Sequence, residues 1–284
     1  MPHLIHPNEL AAELSADRPV RVLDVRWRLD TPEGRPAYVA GHLPGAVYVD
    51  LESDLAVRGY PEGGRYPLPS VERLEQSARS WGIDDGDLVV AYDDNDAVAA
   101  ARAWWLLRRR GIDIRVLDGG IRAWVAAGLP LEVGDRVSEP GTVRLLDIDP
   151  GVATIDDAAR APIDGFLVDV RAPDHYRGLT PGLDPAAGHI PGAVNIPTVA
   201  HIAPDGTLKS PEAIRYTVEA AGVDVEREIT LYCGAGIAST HSALALAHAG
   251  IETRIYTGSW SHWSRSRERP VAVGRTPADA LVGW

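Results

Sequence analysis

The sequence predicts an α/β fold made of two tandem domains, each a mostly parallel sheet flanked by helices on both faces. Two observations predict this fold. Short β-branched segments alternate along the chain with helical segments, which is typical of parallel strands joined by crossover helices. In addition, four segments of the first half recur in the same order in the second half. The recurring pairs are "VLDVRW" (22–27) with "LVDVRA" (167–172), "GHLPGAVYVD" (41–50) with "GHIPGAVNIP" (188–197), "GIDDGDLVVAYD" (82–93) with "GVDVEREITLYC" (222–233), and "RGIDIRVLDGGIRAW" (110–124) with "AGIETRIYTGSWSHW" (249–263).

The repeat also predicts the limits of the two domains. The offsets between paired segments are nearly constant, at 169 − 24 = 145, 188 − 41 = 147, 222 − 82 = 140 and 263 − 124 = 139. A period of this size is far longer than that of a solenoid, so each copy is a complete domain. The two copies join in a segment rich in proline, glycine and charged residues. We therefore expect a first domain at 1–130, a linker at 131–150 and a second domain at 151–284.

The second copy shows its elements most clearly. Four β-branched segments predict strands, namely "FLVDV" (166–170), "AVNI" (193–196), "EITLY" (228–232) and "TRIY" (253–256). Amphipathic patterns that each close on a glycine predict helices at 211–222 and 239–250. Ser210 is a favourable N-cap for the first of these helices, and Pro211 occupies its first position.

Composition and charge restrict the classes of partner. Of the 284 residues, 45% are hydrophobic and 24% are charged, which is typical of a packed soluble fold. A net charge of −12 argues against nucleic acid and anionic membranes as partners. The start of the chain lacks a basic segment followed by an apolar one, and no apolar run is long enough to span a bilayer. A single cysteine forms no internal disulfide, so we expect a protein of the reducing cytoplasm.

That single cysteine, Cys233, lies where the strand "EITLY" turns into the helix at 239–250. In parallel sheets, ligands bind beyond the carboxyl ends of the strands. A loop that enters a helix N-terminus directs backbone N–H groups at the sulfur and stabilises negative charge there, and small residues let the backbone curl closely. This pattern predicts a nucleophilic thiolate inside an anion-binding loop. The loop residues are Gly234, Ala235, Gly236, Ile237, Ala238 and Ser239.

A second interpretation of Cys233 is purely structural. Free cysteine is often a small buried hydrophobe, and a strand end is an ordinary place for one. The two interpretations differ in what surrounds the sulfur, because a structural cysteine packs against apolar groups whereas a nucleophile needs hydrogen-bond donors.

The repeated motifs resemble those of the rhodanese family in its tandem two-domain form. The resemblance rests on "DVR" in each copy, "GHLPGAV" and "GHIPGAV", "LDGGIRAW" and "YTGSWSHW", and the loop "CGAGIAS", and it covers essentially the whole chain. It implies that only the second domain is catalytic, and Asp93 indeed stands at the position of Cys233 in the first copy (233 − 93 = 140). It also implies a sulfurtransferase that carries sulfur as a Cys233 persulfide from a small anionic donor to cyanide, a thiol or a protein, with no metal or other cofactor.

The resemblance implies roles for several other residues. Arg171 ends "VDVR" and is expected to help order the site and to bind substrate. Many members carry one arginine just before an aromatic residue and another further along, and both bind the donor. This chain has His175 before Tyr176 and Arg177 after it, and "TPGLDPAAG" (180–188) holds no arginine. Arg177 is a candidate to replace the missing contact, and His175 is either an anion contact or an ordinary loop histidine, of which we favour the second.

The donor and one pocket residue also follow from the resemblance. The loop begins Cys-Gly, as in the mercaptopyruvate-using branch, but Ala235 stands in place of a serine and Ala40 in place of an aspartate. Thiosulfate-using members carry basic residues after the cysteine, which this chain lacks. Both donors therefore stay open. Trp27 follows "DVR" in the first copy, where a family tryptophan lies near the cysteine, so it is either a pocket wall or a packing residue.

Other functions fit the sequence less well. "GAGIAS" approaches a dinucleotide-binding fingerprint, but Ser239 is a poor third position and too little chain follows. A cysteine phosphatase needs an arginine six residues after the nucleophile, where Ser239 stands. The nine histidines show no H-x-x-x-H spacing for a metal. A sulfur-carrier or protein-interaction module with little free turnover remains the main alternative.

Overall fold

A computed structural model describes residues 2–16, 18–57, 63–148, 151–180, 182–277 and 281–282 of the protein. The chain divides into two compact units. The first unit comprises 1–57, 68–150 and 203–208, and the second comprises 58–67, 151–202 and 209–284. A short segment from each half of the sequence thus packs with the other unit. The repeat-based limits 1–130, 131–150 and 151–284 stay a prediction.

The first unit contains a five-stranded parallel sheet with the strand order β1-β5-β4-β2-β3. The strands are β1 (Leu4–Ile5), β2 (Val20–Asp24), β3 (Val47–Tyr48), β4 (Leu88–Tyr92) and β5 (Asp113–Leu117). The helices are α1 (Pro7–Leu14), α2 (Arg35–Ala40), α3 (Leu51–Asp54), α4 (Val71–Ser80), α5 (Ala100–Arg108) and α6 (Gly120–Ala126). Every residue of the central strand β4 is buried, because helices cover both faces of the sheet.

The second unit contains a four-stranded parallel sheet in the order β7-β6-β8-β9 and a short antiparallel pair. The strands are β6 (Phe166–Asp169), β7 (Val194–Asn195), β8 (Ile229–Tyr232) and β9 (Arg254–Ile255), followed by the pair β10 (Val271–Ala272) and β11 (Leu281–Val282). The helices are α7 (Ile155–Asp164), α8 (Pro173–Arg177), a 3₁₀ turn (Thr198–His201), α9 (Pro211–Ala220), α10 (Ala238–His248) and α11 (Ser259–Trp263).

The predicted α/β fold class is confirmed. All four strands predicted in the second copy are present, each somewhat shorter than the β-branched run that predicts it. The N-cap prediction is also confirmed, since the Ser210 hydroxyl accepts a hydrogen bond from the Ala213 N–H at 3.3 Å. Among the residues described, no helix has the length and apolar character needed to cross a bilayer.

The sheet topology of the second unit determines where a site can form. Strand β8 lies between β6 and β9, so the chain segments that follow these three parallel strands leave the same edge of the sheet. These segments begin at Val170, Cys233 and Tyr256. Residues far apart in sequence therefore meet at this edge.

Candidate functional site

Cys233 directly follows the buried strand β8 and precedes the helix α10. Its side chain is 2% exposed, but the sulfur does not lie in apolar surroundings. The Gly236 N–H donates to Sγ at 3.0 Å, and the Cys233 thiol donates to the Ser239 hydroxyl oxygen at 3.6 Å. Hydrogen-bond donors at a sulfur stabilise its negative charge, so this geometry favours the nucleophilic interpretation over the structural one.

Gly236 has a backbone conformation that requires glycine. Its φ is +82°, and a Cβ at this position would lie 2.4 Å from the Thr257 carbonyl oxygen. In this conformation the Gly236 N–H lies 3.0 Å from the sulfur. The neighbouring Gly234 does not have a positive φ, so the loop needs glycine there for a different reason.

The structure brings only part of the predicted loop to the sulfur. In the hydrogen bonds described for residues 233–239, Sγ contacts Gly236 and Ser239. Ala235 and Ile237 are buried, and the Ala238 carbonyl oxygen lies 3.5 Å from the Thr198 hydroxyl. Helix α11 is hydrogen-bonded to the loop backbone. The Trp260 N–H donates to the Cys233 carbonyl oxygen at 3.0 Å, and the Ser261 N–H donates to the Gly234 carbonyl oxygen at 2.8 Å.

Ser259, at the start of α11, is a site residue that the sequence analysis missed. Its hydroxyl oxygen accepts the Cys233 N–H at 3.2 Å and lies 3.9 Å from Sγ. The same hydroxyl donates to the Tyr256 carbonyl at 2.9 Å, so its proton has two acceptors within reach, that carbonyl and the sulfur. Ser259 adopts a φ of +54°, which costs a non-glycine residue roughly 1 kcal/mol or more.

The internal repeat contained the signal for Ser259. At the equivalent position of the first copy (259 − 139 = 120) stands Gly120, with a φ of +59°. The two copies therefore share a left-handed position, and only the copy with the cysteine has a hydroxyl there. Strain retained at one position beside a reactive group is typical of a functional residue.

Ser259→Gly is expected to slow the reaction of Cys233 with iodoacetamide at fixed pH by about threefold to tenfold, because one hydroxyl near the sulfur is lost. Loss of the strain should offset the lost hydrogen bonds, so the free energy of unfolding should change by less than about 1 kcal/mol. Ser266→Ala is the control, since the Ser266 hydroxyl donates only to a helix carbonyl, that of His262. An unchanged alkylation rate in Ser259→Gly would show that the hydroxyl does not act on the sulfur.

In the first copy, the loop equivalent to the cysteine loop binds a carboxyl group. The carboxylate of Asp93, at the position equivalent to Cys233, accepts four backbone N–H bonds of 2.8 to 2.9 Å. These N–H groups belong to Asn95, Ala97, Ala99 and Ala100. Burial raises the pKa of Asp93, and the four amides oppose that rise. Four backbone N–H groups of the first-copy loop thus bind a buried carboxyl group.

Arg171 forms a buried ion pair at the end of β6. Its Nη2 lies 2.6 Å from Asp169 Oδ2 and donates to the Gly188 carbonyl at 2.6 Å. Burial acts to lower the pKa of Arg171, but Asp169 raises it overall. The first copy has the same pair, Arg26 with Asp24, also at 2.6 Å. Since the copy without a cysteine shares the pair, these contacts are structural, and substrate binding by Arg171 stays a prediction.

The other predicted binding residues lie apart from the cysteine loop in their described contacts. Arg177, at the end of α8, pairs with Asp174 at 3.6 Å. His175 is half-buried on the same helix, and none of the hydrogen bonds or ion pairs described for these two residues reaches loop 233–239. Trp27 belongs to the first unit, where its indole N–H donates to Glu52 at 3.2 Å. Roles for these residues in donor binding or as a pocket wall stay predictions.

Comparison with known proteins gives a consistent result. The family described as "Rhodanese-like domain" matches residues 6–127 and 154–266. SseB of Mycobacterium tuberculosis, provisionally named a thiosulfate sulfurtransferase, is 42% identical over 275 residues, which cover 95% of this chain and 97% of SseB. The sulfur carrier protein TtuD of Thermus thermophilus is 32% identical over 292 residues, covering 96% of this chain and 98% of TtuD.

Solved structures show the same similarity. The crystal structure of SseA from Escherichia coli, described as a 3-mercaptopyruvate sulfotransferase with the rhodanese fold, matches with a TM-score of 0.82 and 26% identity. The match covers 92% of this chain and 99% of SseA. Both domains of the chain thus have counterparts in that protein.

Proposed function

The chain belongs to the rhodanese family and is a sulfurtransferase, and on this premise we propose that it carries a sulfane sulfur as a persulfide on Cys233. The proposed donors are thiosulfate and 3-mercaptopyruvate, and the proposed acceptors are cyanide, a thiol or a protein. One observation supports the proposal most strongly. The sulfur of the only cysteine in the chain accepts an amide N–H at 3.0 Å and lies 3.6 Å from the Ser239 hydroxyl oxygen, to which the thiol donates.

In the first half-reaction the Cys233 thiolate attacks the transferable sulfur of the donor, which is the outer sulfur of thiosulfate or the thiol sulfur of 3-mercaptopyruvate. With thiosulfate the sulfur–sulfur bond breaks, and its electron pair leaves with sulfite. With 3-mercaptopyruvate the carbon–sulfur bond breaks, and the pair leaves on the enolate of pyruvate, which takes up a proton. The enzyme then carries a persulfide whose outer sulfur is anionic.

In the second half-reaction the acceptor attacks the outer sulfur of the persulfide. The bond between the two sulfur atoms breaks, and its electron pair returns to Cys233 Sγ. Cyanide becomes thiocyanate, and a thiol becomes a persulfide. The loop needs to stabilise negative charge in both the free and the loaded enzyme. The carboxylate of Asp93, held by four amides in the first copy, supports the idea that a loop of this shape can do so.

Intact-protein mass spectrometry tests the persulfide directly. Exposure of the reduced protein to thiosulfate or 3-mercaptopyruvate, separately, is expected to add one sulfur atom, which cyanide then removes. Protein alkylated beforehand at Cys233 is the control, and it should gain no sulfur because the chain has no other cysteine. If neither donor changes the mass of the reduced protein, the sulfurtransferase reaction proposed here is wrong for these donors.

A second candidate function is a sulfur carrier that delivers its persulfide to a partner protein. The similarity to TtuD, which is named a sulfur carrier protein, favours it. Single-turnover transfer from the loaded enzyme distinguishes the two. An enzyme with free turnover transfers to cyanide and small thiols at rates comparable to those for proteins, whereas a carrier transfers to its partner protein much faster. For either function we propose the cytoplasm, because its reducing conditions keep a lone thiol reactive.

A further inference from the structure

An arginine from the first half of the sequence lies beside the cysteine loop. Arg65 belongs to segment 58–67, which packs with the second unit. A Cβ added to Gly234, the residue after Cys233, would lie 3.8 Å from Arg65 Nη2. The Arg65 N–H donates to the Ser261 hydroxyl at 3.0 Å, which ties this segment to α11. The segment thus brings a guanidinium group next to the nucleophile loop.

Asp184 holds this guanidinium in a fixed orientation. Arg65 binds the Asp184 carboxylate in bidentate fashion, with Nη1 at 3.0 Å from Oδ1 and Nη2 at 3.3 Å from Oδ2. Asp184 is 5% exposed in its side chain, and Arg265 binds the same carboxylate at 3.2 Å. Two cations on one carboxylate leave one positive charge in excess. That excess charge lies at the loop that carries Cys233.

Arg65 also keeps capacity to bind a further group. Its side chain is 23% exposed, so solvent reaches it. Its Nε is buried and has no hydrogen-bond partner among the described residues. By contrast, the charge of Arg177 is matched by Asp174 on the same helix. Arg65 is therefore better suited than Arg177 to bind an anion at the loop.

Gly234 fits this arrangement. Its backbone is not in the left-handed region, so glycine is not needed there for conformation. The absence of a side chain instead leaves the space between the loop and the Arg65 guanidinium open. A sulfane-sulfur donor must place its outer sulfur at Cys233 Sγ while its sulfonate or carboxylate lies a short distance away. The side of Gly234 that lacks a side chain faces the Arg65 guanidinium, whose Nη2 would lie 3.8 Å from an added Cβ.

We propose that Arg65, positioned by Asp184, binds the anionic group of the sulfur donor next to Cys233. This inference rests on the proposed function. It answers the question left by "TPGLDPAAG" (180–188), which holds no donor-binding arginine. That stretch supplies the carboxylate of Asp184, and the carboxylate positions an arginine that comes from another part of the chain. The charge that binds the donor is thus present, although not at the expected position.

The test compares single-turnover persulfide formation from anionic donors with the reaction of Cys233 with a neutral sulfur electrophile. Arg65→Gln is expected to lower the second-order rate with thiosulfate or 3-mercaptopyruvate by about 10- to 100-fold, mainly by raising the half-saturating concentration. A neutral organic trisulfide is cleaved by the Cys233 thiolate to a mixed disulfide on Cys233, while a perthiolate leaves. For this adduct, measured by intact mass, the loss of rate should be much smaller, about threefold or less, since no anion is bound. Arg65→Lys should recover part of the anionic-donor rate, because it keeps the charge but not the bidentate geometry.

Arg160→Gln is the matched control. Like Arg65, Arg160 belongs to the second unit and forms an ion pair, in its case with Asp157. Arg160 lies on the helix α7, and its side chain is 64% exposed. The substitution Arg160→Gln removes the same charge at a position away from the cysteine loop. It should therefore leave the rates with both classes of donor almost unchanged. Asp184→Asn provides a second variant, and it should reproduce the selective loss for anionic donors because Arg65 is no longer held in place.

The outcomes separate the inference from the function on which it rests. An equal loss for anionic and neutral donors in Arg65→Gln and Asp184→Asn would mean that these residues only support the fold, and it would overturn the inference. No loss in either variant would overturn it as well. If the wild-type protein gains no sulfur from thiosulfate or 3-mercaptopyruvate although the trisulfide modifies Cys233, the proposed function itself has failed.

Discussion

Replacing Cys233 by serine is expected to abolish sulfur transfer while the fold stays intact. The serine hydroxyl is not ionised near neutral pH and does not form a persulfide, so no covalent intermediate can be made. Loss of a nucleophile typically lowers turnover by about 10⁴-fold or more. The first unit cannot compensate, because Asp93 stands at the equivalent position and its carboxylate is occupied by four backbone N–H groups.

The same variant should remain well folded. Cys233 is 2% exposed, and its thiol accepts the Gly236 N–H and donates to the Ser239 hydroxyl oxygen. A serine hydroxyl can accept the first of these bonds and donate the second, and the two side chains have similar volumes. We expect the free energy of unfolding to change by less than about 1.5 kcal/mol. The measurement pairs intact mass after donor exposure with denaturant unfolding. Sulfur uptake or turnover by Cys233→Ser at a wild-type rate would contradict the assignment of the nucleophile.

Asp169→Asn is expected to destabilise the second unit by about 3–5 kcal/mol, because it leaves the Arg171 guanidinium buried without its counterion. The side chain of Asp169 is fully buried, and that of Arg171 is 11% exposed. The cation also lies over the Trp260 ring, 4.7 Å from its centroid, and Trp260 belongs to the helix that holds the cysteine loop. Loss of the pair should therefore also lower the rate of persulfide formation.

The first copy supplies a control with almost the same geometry. Asp24 binds Arg26 at 2.6 Å, and Arg26 donates to the Gly41 carbonyl at 2.7 Å. Asp24→Asn should destabilise the first unit by a similar amount. Under conditions where the protein stays folded, it should change the rate of persulfide formation by about twofold or less. Denaturant unfolding, followed by probes in each unit, checks both values. A loss below about 1 kcal/mol in both variants would show that these pairs do not stabilise their units.

The strands, a helix cap and the two-domain organisation of this protein can be predicted from local sequence and from its internal repeat. The strands of the second unit follow β-branched runs, Ser210 caps a helix, and the repeat reveals two copies of one domain. These features depend on interactions between residues close in sequence, or on a pattern that the chain repeats. The position of Cys233 at a strand end also follows from such patterns. The positive φ of Gly236 is a feature of the local loop, but the close approach of the Thr257 carbonyl, which also excludes a side chain there, is visible only in the structure.

The surroundings of the sulfur were decided by tertiary structure. Ser259 reaches Cys233 because β8 and β9 are neighbours in the sheet, so the segments that follow them meet. Arg65 reaches Gly234 because a segment of the first half packs with the second unit. Sequence periodicity carries no information about such pairs, since each contact joins residues separated by many positions and depends on how whole elements pack. The sequence by itself therefore determined the fold class and singled out Cys233 as the proposed nucleophile, whereas the packing of distant segments decided which hydroxyl and which cation lie near its loop.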